Sequence, residues 1–308
     1  MGLARYRREL GLAAVYAALL AALRIYAPGF FHEQFHGLWV AAAPVLVAAV
    51  GMTLVIVARE IDISIGSLFS VCGIVAAVAA KSGWPMPWAA AAAVGAGMVV
   101  GAVNGALVAF AGMPSIVVTL ASMVILDQGL RWARQGAEVS GLPADFQWLG
   151  FSQHGGEWLL MAAALGLLVI FAAGTRWLAA GRAVYAVGCD RESARLAGLR
   201  PRRVVFGVFV LMGALAAVAA LLNAIRFPHV DASAGRGLEL QVIAAVVVGG
   251  TAIAGGRGTM LGTLIGVALL VSIAPALTFL HLQAQWERAI QGLIILLAVA
   301  VDGLRRGR

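Results

Sequence analysis

The segment from Ser82 to Leu126 constrains the fold most strongly, because its forty-five residues include no Asp, Glu, Lys or Arg. A bilayer core of about 30 Å is crossed by roughly 20 apolar helical residues. The segment is therefore too long for one membrane span and long enough for two. Gly112, Met113 and Pro114 interrupt it, and proline favours a turn or the start of a helix. The chain is predicted to cross a membrane repeatedly.

The composition agrees with this prediction and argues against a soluble domain. Hydrophobic residues make up 62% of the chain and charged residues 12%, and the mean hydropathy is +0.95. A soluble domain carries roughly 25% charged residues. The net charge of +8 would suggest nucleic-acid binding in a soluble protein. Here the arginines lie between apolar segments, where they set membrane topology, so no binding to nucleic acid is predicted.

Charges and Gly/Pro clusters divide the chain into ten predicted membrane helices, which form one all-α transmembrane bundle over residues 1–308. The helices cover approximately residues 10–28, 38–58, 63–80, 88–110, 115–133, 158–178, 204–225, 238–254, 259–280 and 288–303. With a cytoplasmic N-terminus, fifteen of the 22 Lys and Arg residues fall on the cytoplasmic side, as the positive-inside rule expects. Both termini are therefore predicted to be cytoplasmic.

Two stretches suggest an internal repeat. VIVAREIDISIGSLFSVCG (residues 55–73) and VVVGGTAIAGGRGTMLGTLIG (residues 246–266) each contain an apolar run, a break marked by charges or glycines, and a helix rich in small residues. Both breaks lie on the predicted cytoplasmic side. The pattern predicts two parallel halves related by an axis along the membrane normal. Few side chains are identical between the stretches, so coincidence stays an alternative.

Residues 179–203 form the longest charged interruption, in which six arginines are opposed only by Asp190 and Glu192. Apolar segments flank the interruption, and its excess of arginine predicts a cytoplasmic loop. We expect a partner protein to deliver energy at this loop. The glycine-rich residues 249–259 lack the pattern G-x-x-x-x-G-K-[ST], and Lys81 is the only lysine, so the sequence has no P-loop for ATP hydrolysis.

The ionisable residues Arg59, Glu60 and Asp62 lie between two predicted spans. Acidic residues at membrane depth are costly and are usually functional. The alternative is a simple interfacial turn, with Asp62 or Ser64 capping the next helix. Asn104 lies among glycines spaced by four residues and either lines a path or joins helices. The sequence contains no H-E-x-x-H motif and no acid pair at helical spacing within a span, so no enzyme activity is predicted.

Four ordered blocks carry a resemblance to a known family. They are REIDISIGS (59–67), NGALVAFAGMPSIVVTLASM (104–123), residues 181–199 (a glycine followed by RAVYAVGCDRESARLAGL) and LELQVIAAVVVGGTAIAGGRGTMLGTLIG (238–266). Together they resemble the permeases of ABC importers of the ribose, xylose, rhamnose and autoinducer-2 type, which are related to the branched-chain amino-acid permeases. The block REIDISIGS is more similar to the carbohydrate branch of these permeases.

The resemblance implies that residues 190–199 form a coupling helix that docks into an ATPase subunit. Glu192, Ser193 and Ala194, followed by Gly198, are similar to the family's glutamate-alanine-alanine…glycine signature, with serine in place of the middle alanine. The implied contacts with the ATPase are Asp190, Glu192, Ser193, Ala194, Arg195 and Gly198. A cytoplasmic gate or second contact is implied for Arg59, Glu60, Asp62, Gly255, Gly256 and Arg257.

The resemblance also implies alternating access in the bacterial inner membrane. Three partners are expected. An ATP-binding subunit holds the ATP, and a second permease subunit, identical or paralogous, completes the membrane part. A periplasmic or surface solute-binding protein supplies the solute. No cofactor is expected in this chain itself. The expected cargo is a monosaccharide or a similar polyol-like solute, including autoinducer-2. Such a solute needs hydroxyl and amide partners, so the candidate path residues are Asn104, Thr119, Ser122 and Gln128.

Two other kinds of transporter compete with this interpretation, one from the same class and one from a different class. An ABC permease for branched-chain amino acids or nucleosides is the alternative within the same class. A secondary transporter driven by protons or sodium would need acidic or histidine groups within its spans. Asp127 is the only acid inside a long apolar stretch, which argues against a secondary transporter.

Overall fold

α-Helices form most of the regular structure in this computed structural model, which describes residues 7–26, 31, 35–280, 283, 286–287, 289–294 and 296. The helices are α1 (Arg7–Tyr26), α2 (Phe35–Val57), α3 (Ile65–Lys81), α4 (Met86–Ala109), α5 (Ser115–Arg134), α6 (Gln153–Trp177), α7 (Ala179–Cys189), α8 (Arg191–Leu196), α9 (Pro201–Ala224), α10 (Leu238–Val248) and α11 (Met260–Phe279). Extended pairing in the described residues is limited to an antiparallel bridge between Val139 and Val230. The predicted all-α fold class is confirmed.

Six of the described helices are long and apolar enough to cross a membrane, namely α2, α4, α5, α6, α9 and α11. Helices α3 and α10 are apolar but shorter, with 17 and 11 residues. The predicted helix at 288–303 falls largely outside the described residues. The predicted total of ten spans, with two cytoplasmic termini, therefore stays a prediction.

Two segments differ from the sequence-based expectation. The predicted helix at 238–254 ends at Val248, because the backbone of Gly249 packs against Gly262 and Gly250 has a φ of +92°. The predicted loop at 179–203 is largely helical, because it contains α7 as well as α8, which lies within the helix implied at 190–199. Apolar residues on one face of α7 are buried, and the high density of arginines in the segment concealed that face.

Helix α2 lies at the centre of the bundle. In its membrane-crossing part 94% of the residues are buried, and they pack against α6, α9, α10 and α11. A helix that is apolar on all sides is stable where other helices surround it. Its buried Thr53 is satisfied by hydrogen bonds to the Ala49 carbonyl oxygen and the Thr263 hydroxyl, both at 2.7 Å. Only 11% of α5 and 17% of α6 are buried in the equivalent parts, so these helices present apolar surface outward.

Segments at the ends of the helices contact each other at both ends of the bundle, which gives two groups of contacts. In the first group, the Gly256 N–H donates a hydrogen bond to the Val57 carbonyl oxygen at 2.8 Å. In the second group, the Lys81 ammonium donates to the Ser140 carbonyl oxygen, also at 2.8 Å. In each of these two contacts, the segments that meet were predicted to lie on the same side of the membrane.

Glycines bring α4 and α9 into direct backbone contact. A Cβ atom at Gly97 would collide with the Gly213 carbonyl oxygen, and a Cβ atom at Gly213 would collide with the Gly97 carbonyl oxygen. Gly101 and Gly105 face Phe209 at similarly short range. Small residues at four-residue spacing thus allow these two helices to pack closely.

We expect Gly97→Ala to destabilise the purified protein, because its new methyl group has no space against α9. The expected loss in the free energy of unfolding is about 1–3 kcal/mol, the usual range for overpacking. Gly95→Ala, two residues earlier on α4, is the matched control, since a Cβ atom there has no neighbour within 4 Å. The control should gain about 0.5–1 kcal/mol from helix propensity. Thermal unfolding in detergent compares the two, and equal melting temperatures would contradict the backbone contact.

Candidate functional site

Asp190 and Gly198 fix the two ends of the short helix α8. The Asp190 carboxylate accepts a hydrogen bond from the Ser193 N–H at 2.6 Å, which caps the helix and lowers the pKa of Asp190. At the other end, the N–H groups of Gly198 and Leu199 donate back to helix carbonyl oxygens at 3.0 Å. This Schellman ending needs the φ of +84° that Gly198 adopts without strain. A helix therefore lies where the resemblance implies the coupling helix.

The outward face of α8 combines charged and apolar side chains. The Arg195 guanidinium donates two hydrogen bonds to the Glu192 carboxylate, at 2.6 and 3.1 Å, and these lower the pKa of Glu192. Both side chains are about two-thirds exposed, so their ion pair contributes little to stability. Leu196 is 78% exposed, whereas Ala194 is buried. This face is suited to contact with another protein.

The inward face of α8 is joined to the segment that follows α2. The Arg191 guanidinium forms an ion pair with the Glu60 carboxylate, and Glu60 is only 7% exposed. Arg59 has a φ of +67°, an uncommon conformation for a residue with a side chain, and it turns the chain away from the end of α2. The ion pair therefore connects the predicted coupling helix to the predicted gate segment.

Backbone contacts connect α2, α7 and the loop 249–259 at one place, which we call the glycine junction (Val57, Gly188, Gly255 and Gly256). The Gly256 N–H donates to the Val57 carbonyl oxygen at 2.8 Å, and a Cβ atom at Gly188 would collide with that same oxygen. A Cβ atom at Gly256 would collide with Cys189. No side chain larger than hydrogen fits at Gly188 or Gly256 without movement of the backbone.

The six predicted gate residues occupy four different environments. Gly255 and Gly256 belong to the glycine junction, and a Cβ atom at Gly255 would lie 2.8 Å from the Arg59 Cβ atom. Arg257 is exposed beside the junction. Glu60 pairs with α8, while Asp62 lies apart and is buried.

Asp62 belongs to a buried polar network, which we define as Asp62, Ser64, Asn104 and Ser122. The Asp62 carboxylate accepts hydrogen bonds from the Ser64 N–H at 2.9 Å and from the Ser64 hydroxyl at 2.6 Å. The Asn104 amide donates to the Ser64 hydroxyl at 3.0 Å, and the Ser122 hydroxyl donates to the Asn104 carbonyl oxygen at 2.5 Å. Asp62 thus holds the backbone of Ser64, the residue before α3, and Ser64 makes no side-chain capping bond to that helix.

The predicted path residues separate into two groups. Three of them surround the segment 61–64, namely Asn104, Thr119 and Ser122. The Thr119 hydroxyl accepts a hydrogen bond from the Ile63 N–H at 3.1 Å. Gln128 lies outside this group, on the exposed side of α5, and its amide contacts Asp127 at 3.4 Å. The structure brings three of the four candidates together, and their role in a solute path stays a prediction.

A cavity of about 700 Å³ lies between α8, the end of α4 and the start of α9. Its charged lining is mostly basic, with Arg191, Arg195, Arg200, Arg202 and Arg203. Glu60 and Glu192 are the acidic residues of the lining. Sequence reasoning did not assign Arg191, Arg200, Arg202 or Arg203 to the site, although the arginine excess of the segment was the available signal.

Residues 35–299 match the protein family described as the permease component of the branched-chain amino acid transport system. The chain belongs to this permease family. The autoinducer 2 import system permease protein LsrC of Escherichia coli O157:H7 is 33% identical to it over 301 residues, covering 94% of this chain and 86% of LsrC. The probable ABC transporter permease protein y4mJ of Sinorhizobium fredii is 33% identical over 306 residues, covering 98% of this chain and 91% of y4mJ.

These relatives confirm the resemblance that the four sequence blocks carry. The LsrC protein of Yersinia pseudotuberculosis is also similar, with 34% identity over 304 residues that cover 94% of this chain and 84% of the relative. No solved structure matches the chain. The chain is a membrane permease subunit of an ABC importer.

We expect Arg191→Ala to destabilise the permease, because it leaves the buried Glu60 carboxylate without its partner. The expected loss is about 1–3 kcal/mol, below the figure for fully buried pairs because Arg191 is about half exposed. Arg195→Ala on the same helix is the matched control, since it breaks only the exposed pair with Glu192. Thermal unfolding should show a clearly larger loss for Arg191→Ala. The same loss in both variants would mean that the Arg191–Glu60 pair stabilises the permease no more than the exposed Arg195–Glu192 pair does.

Proposed function

We propose that this permease imports a neutral, hydroxyl-rich solute by alternating access, and that a separate ATP-binding subunit drives it through α8. The solute class is a monosaccharide or a similar polyol-like molecule, including autoinducer-2. The observation that carries the coupling role is the double attachment of α8, through the Arg191–Glu60 ion pair and through α7 at the glycine junction. The names of the relatives support the solute class.

In this proposal, α8 converts movement of the ATP-binding subunit into movement of the bundle. Its outward face, with Glu192, Arg195 and Leu196, contacts the ATP-binding subunit. Its inward side pulls or pushes the end of α2 and the loop 249–259. The contact is stiff, because backbone atoms at the junction have no side-chain rotamers to absorb a displacement. The ATP is bound by the partner, and this chain supplies no cofactor.

The basic cavity beside α8 indicates the chemistry of the partner surface. Its five arginines outnumber the two acidic residues in the lining, so acidic side chains of the ATP-binding subunit fit it best. At the opposite end of the bundle, a periplasmic or surface solute-binding protein delivers the cargo. The outward apolar surfaces of α5 and α6 contact lipid or a second permease subunit, identical or paralogous. This arrangement belongs in the bacterial inner membrane.

Three of the predicted path residues, Asn104, Thr119 and Ser122, provide candidate groups for the solute path. They are hydroxyl and amide groups, which exchange hydrogen bonds with a neutral solute. Asn104 and Thr119 are buried and Ser122 is partly buried in the present conformation, so another state of the alternating-access cycle would have to uncover them. Gln128 would meet the solute separately, on the exposed side of α5. A branched-chain amino acid or nucleoside cargo is the alternative, because the family description names branched-chain amino acids.

We expect Glu192→Arg to abolish co-purification of the permease with its ATP-binding subunit, because it breaks the Glu192–Arg195 pair and puts two long side chains of like charge on the outward face of α8. Glu138→Arg is the matched control, since Glu138 is similarly exposed but lies at the other end of the bundle. Gly198→Trp is a second variant, because it disturbs the Schellman ending of α8. A complex that survives both Glu192→Arg and Gly198→Trp would exclude α8 as the coupling helix.

The cargo prediction is tested by transport in vesicles that contain the permease, its ATP-binding subunit and its solute-binding protein. ATP-dependent uptake of a pentose or of autoinducer-2 is expected, with no uptake of leucine. Mutation of the catalytic base of the ATP-binding subunit should abolish the uptake and serves as the control for leakage. Leucine uptake without sugar uptake would favour the alternative cargo, while leaving the coupling role of α8 intact.

A further inference from the structure

Two histidines and a glutamate meet at the end of the bundle that lies opposite α8. His36 is in the first turn of α2, and His154 and Glu157 are in the first turns of α6. One potential ligand atom of each residue lies within 4.8 Å of those of the other two. The His36 Nε2 atom is 2.7 Å from a Glu157 carboxylate oxygen. Neither the proposed transport path nor the proposed coupling contact uses these residues.

The chemistry of this cluster is that of a transition-metal site. Two imidazoles and one carboxylate form a common ligand set for Zn²⁺ and other first-row metals. His154 and Glu157 are three residues apart on α6, so their side chains share one face of the helix. His36 reaches them from another helix, which gives ligands from two rigid elements. Solvent has access to the cluster, since the His36 side chain is 49% exposed, so water can complete the coordination.

Neighbouring side chains already orient two of the three ligands. The Gln153 amide donates to one Glu157 oxygen at 3.0 Å, which leaves the other oxygen directed at His36. The Trp158 indole N–H donates to the His154 Nε2 atom at 3.1 Å, so that nitrogen carries a lone pair. The Gln153 bond is of the kind that fixes carboxylate orientation in metal sites. The Trp158 N–H instead occupies the lone pair that a metal would take.

We propose that His36, His154 and Glu157 bind a divalent first-row transition metal, with Zn²⁺ as the best fit to the ligand set. The metal replaces the proton shared between His36 and Glu157, and it takes the His154 lone pair in place of the Trp158 N–H. The bound ion fastens the start of α2, the most buried of the spans, to the start of α6. It does so at the end of the bundle where the cargo enters.

The test uses the full-length permease in detergent, produced without a polyhistidine tag and stripped of metal by a chelator. Calorimetric titration with ZnCl₂ should show one bound ion per chain, and saturating Zn²⁺ should raise the melting temperature by about 5 °C. Mg²⁺ should do neither, because it prefers oxygen ligands. His154→Asn and Glu157→Gln should each weaken Zn²⁺ binding at least about tenfold.

His229→Asn is the matched control, because His229 lies at the same end of the bundle and is 3.8 Å from Glu138 but outside the cluster. Its Zn²⁺ affinity should equal that of the unchanged permease. Absence of Zn²⁺ binding, or equal weakening in all three variants, would overturn the proposal.

Tryptophan fluorescence provides a second measurement that does not depend on ligand variants. Cu²⁺ bound at the cluster should quench Trp158, whose ring centroid is 6.2 Å from that of His36. Trp158→Phe should therefore remove the quenched part of the emission. Trp177→Phe, at the other end of the same helix, should retain it. Equal quenching in the two variants would show that the metal binds elsewhere.

Discussion

The hydrogen bond from the Gly256 N–H to the Val57 carbonyl oxygen joins two breaks in the helical structure. A helix that ends inside a bundle leaves backbone groups without partners, and these are costly when buried. At the break after α2 and the break before α11, a backbone donor of one segment satisfies a backbone acceptor of the other. They can approach only because Gly188 and Gly256 lack the Cβ atoms that would collide there. The most buried span therefore ends on a backbone contact and not on solvated groups.

This contact also explains how a helix as short as α8 could move a much larger bundle. Gly188 lies one residue before the end of α7, and α8 follows after Asp190 alone. In the proposed coupling, a displacement of α8 would be passed to the end of α2 by main-chain atoms, and the Arg191–Glu60 pair provides a second link through side chains. The outward ion pair of α8 has no such attachment. The same six-residue helix thus has a rigid inner side and an adaptable outer side.

Hydropathy and helix-breaking residues were sufficient to predict most helices but not the contacts between them. The predicted helices at 88–110 and 115–133 correspond closely to α4 and α5, because Pro114 separates two charge-free runs. The glycines spaced by four residues on α4 were also visible in the sequence, and they lie at the close contact with α9. The Arg191–Glu60 pair was not, since its partners are 131 positions apart and meet only after α7 folds against the bundle. The end of α10 was missed because the apolar residues after Gly250 continue the hydropathy of the helix.

The buried polar network gives the choice between the two cargo classes a physical basis. In the present conformation Asp62, Ser64 and Asn104 satisfy one another, so a solute that followed the proposed path would have to replace these hydrogen bonds. Replacement by the hydroxyl groups of a sugar changes the free energy little, because each hydrogen bond lost is matched by one gained. The side chain of a branched-chain amino acid offers no such groups and would leave each buried donor or acceptor unsatisfied, at about 1–3 kcal/mol. The residues that hold the break before α3 would thereby also select against apolar cargo.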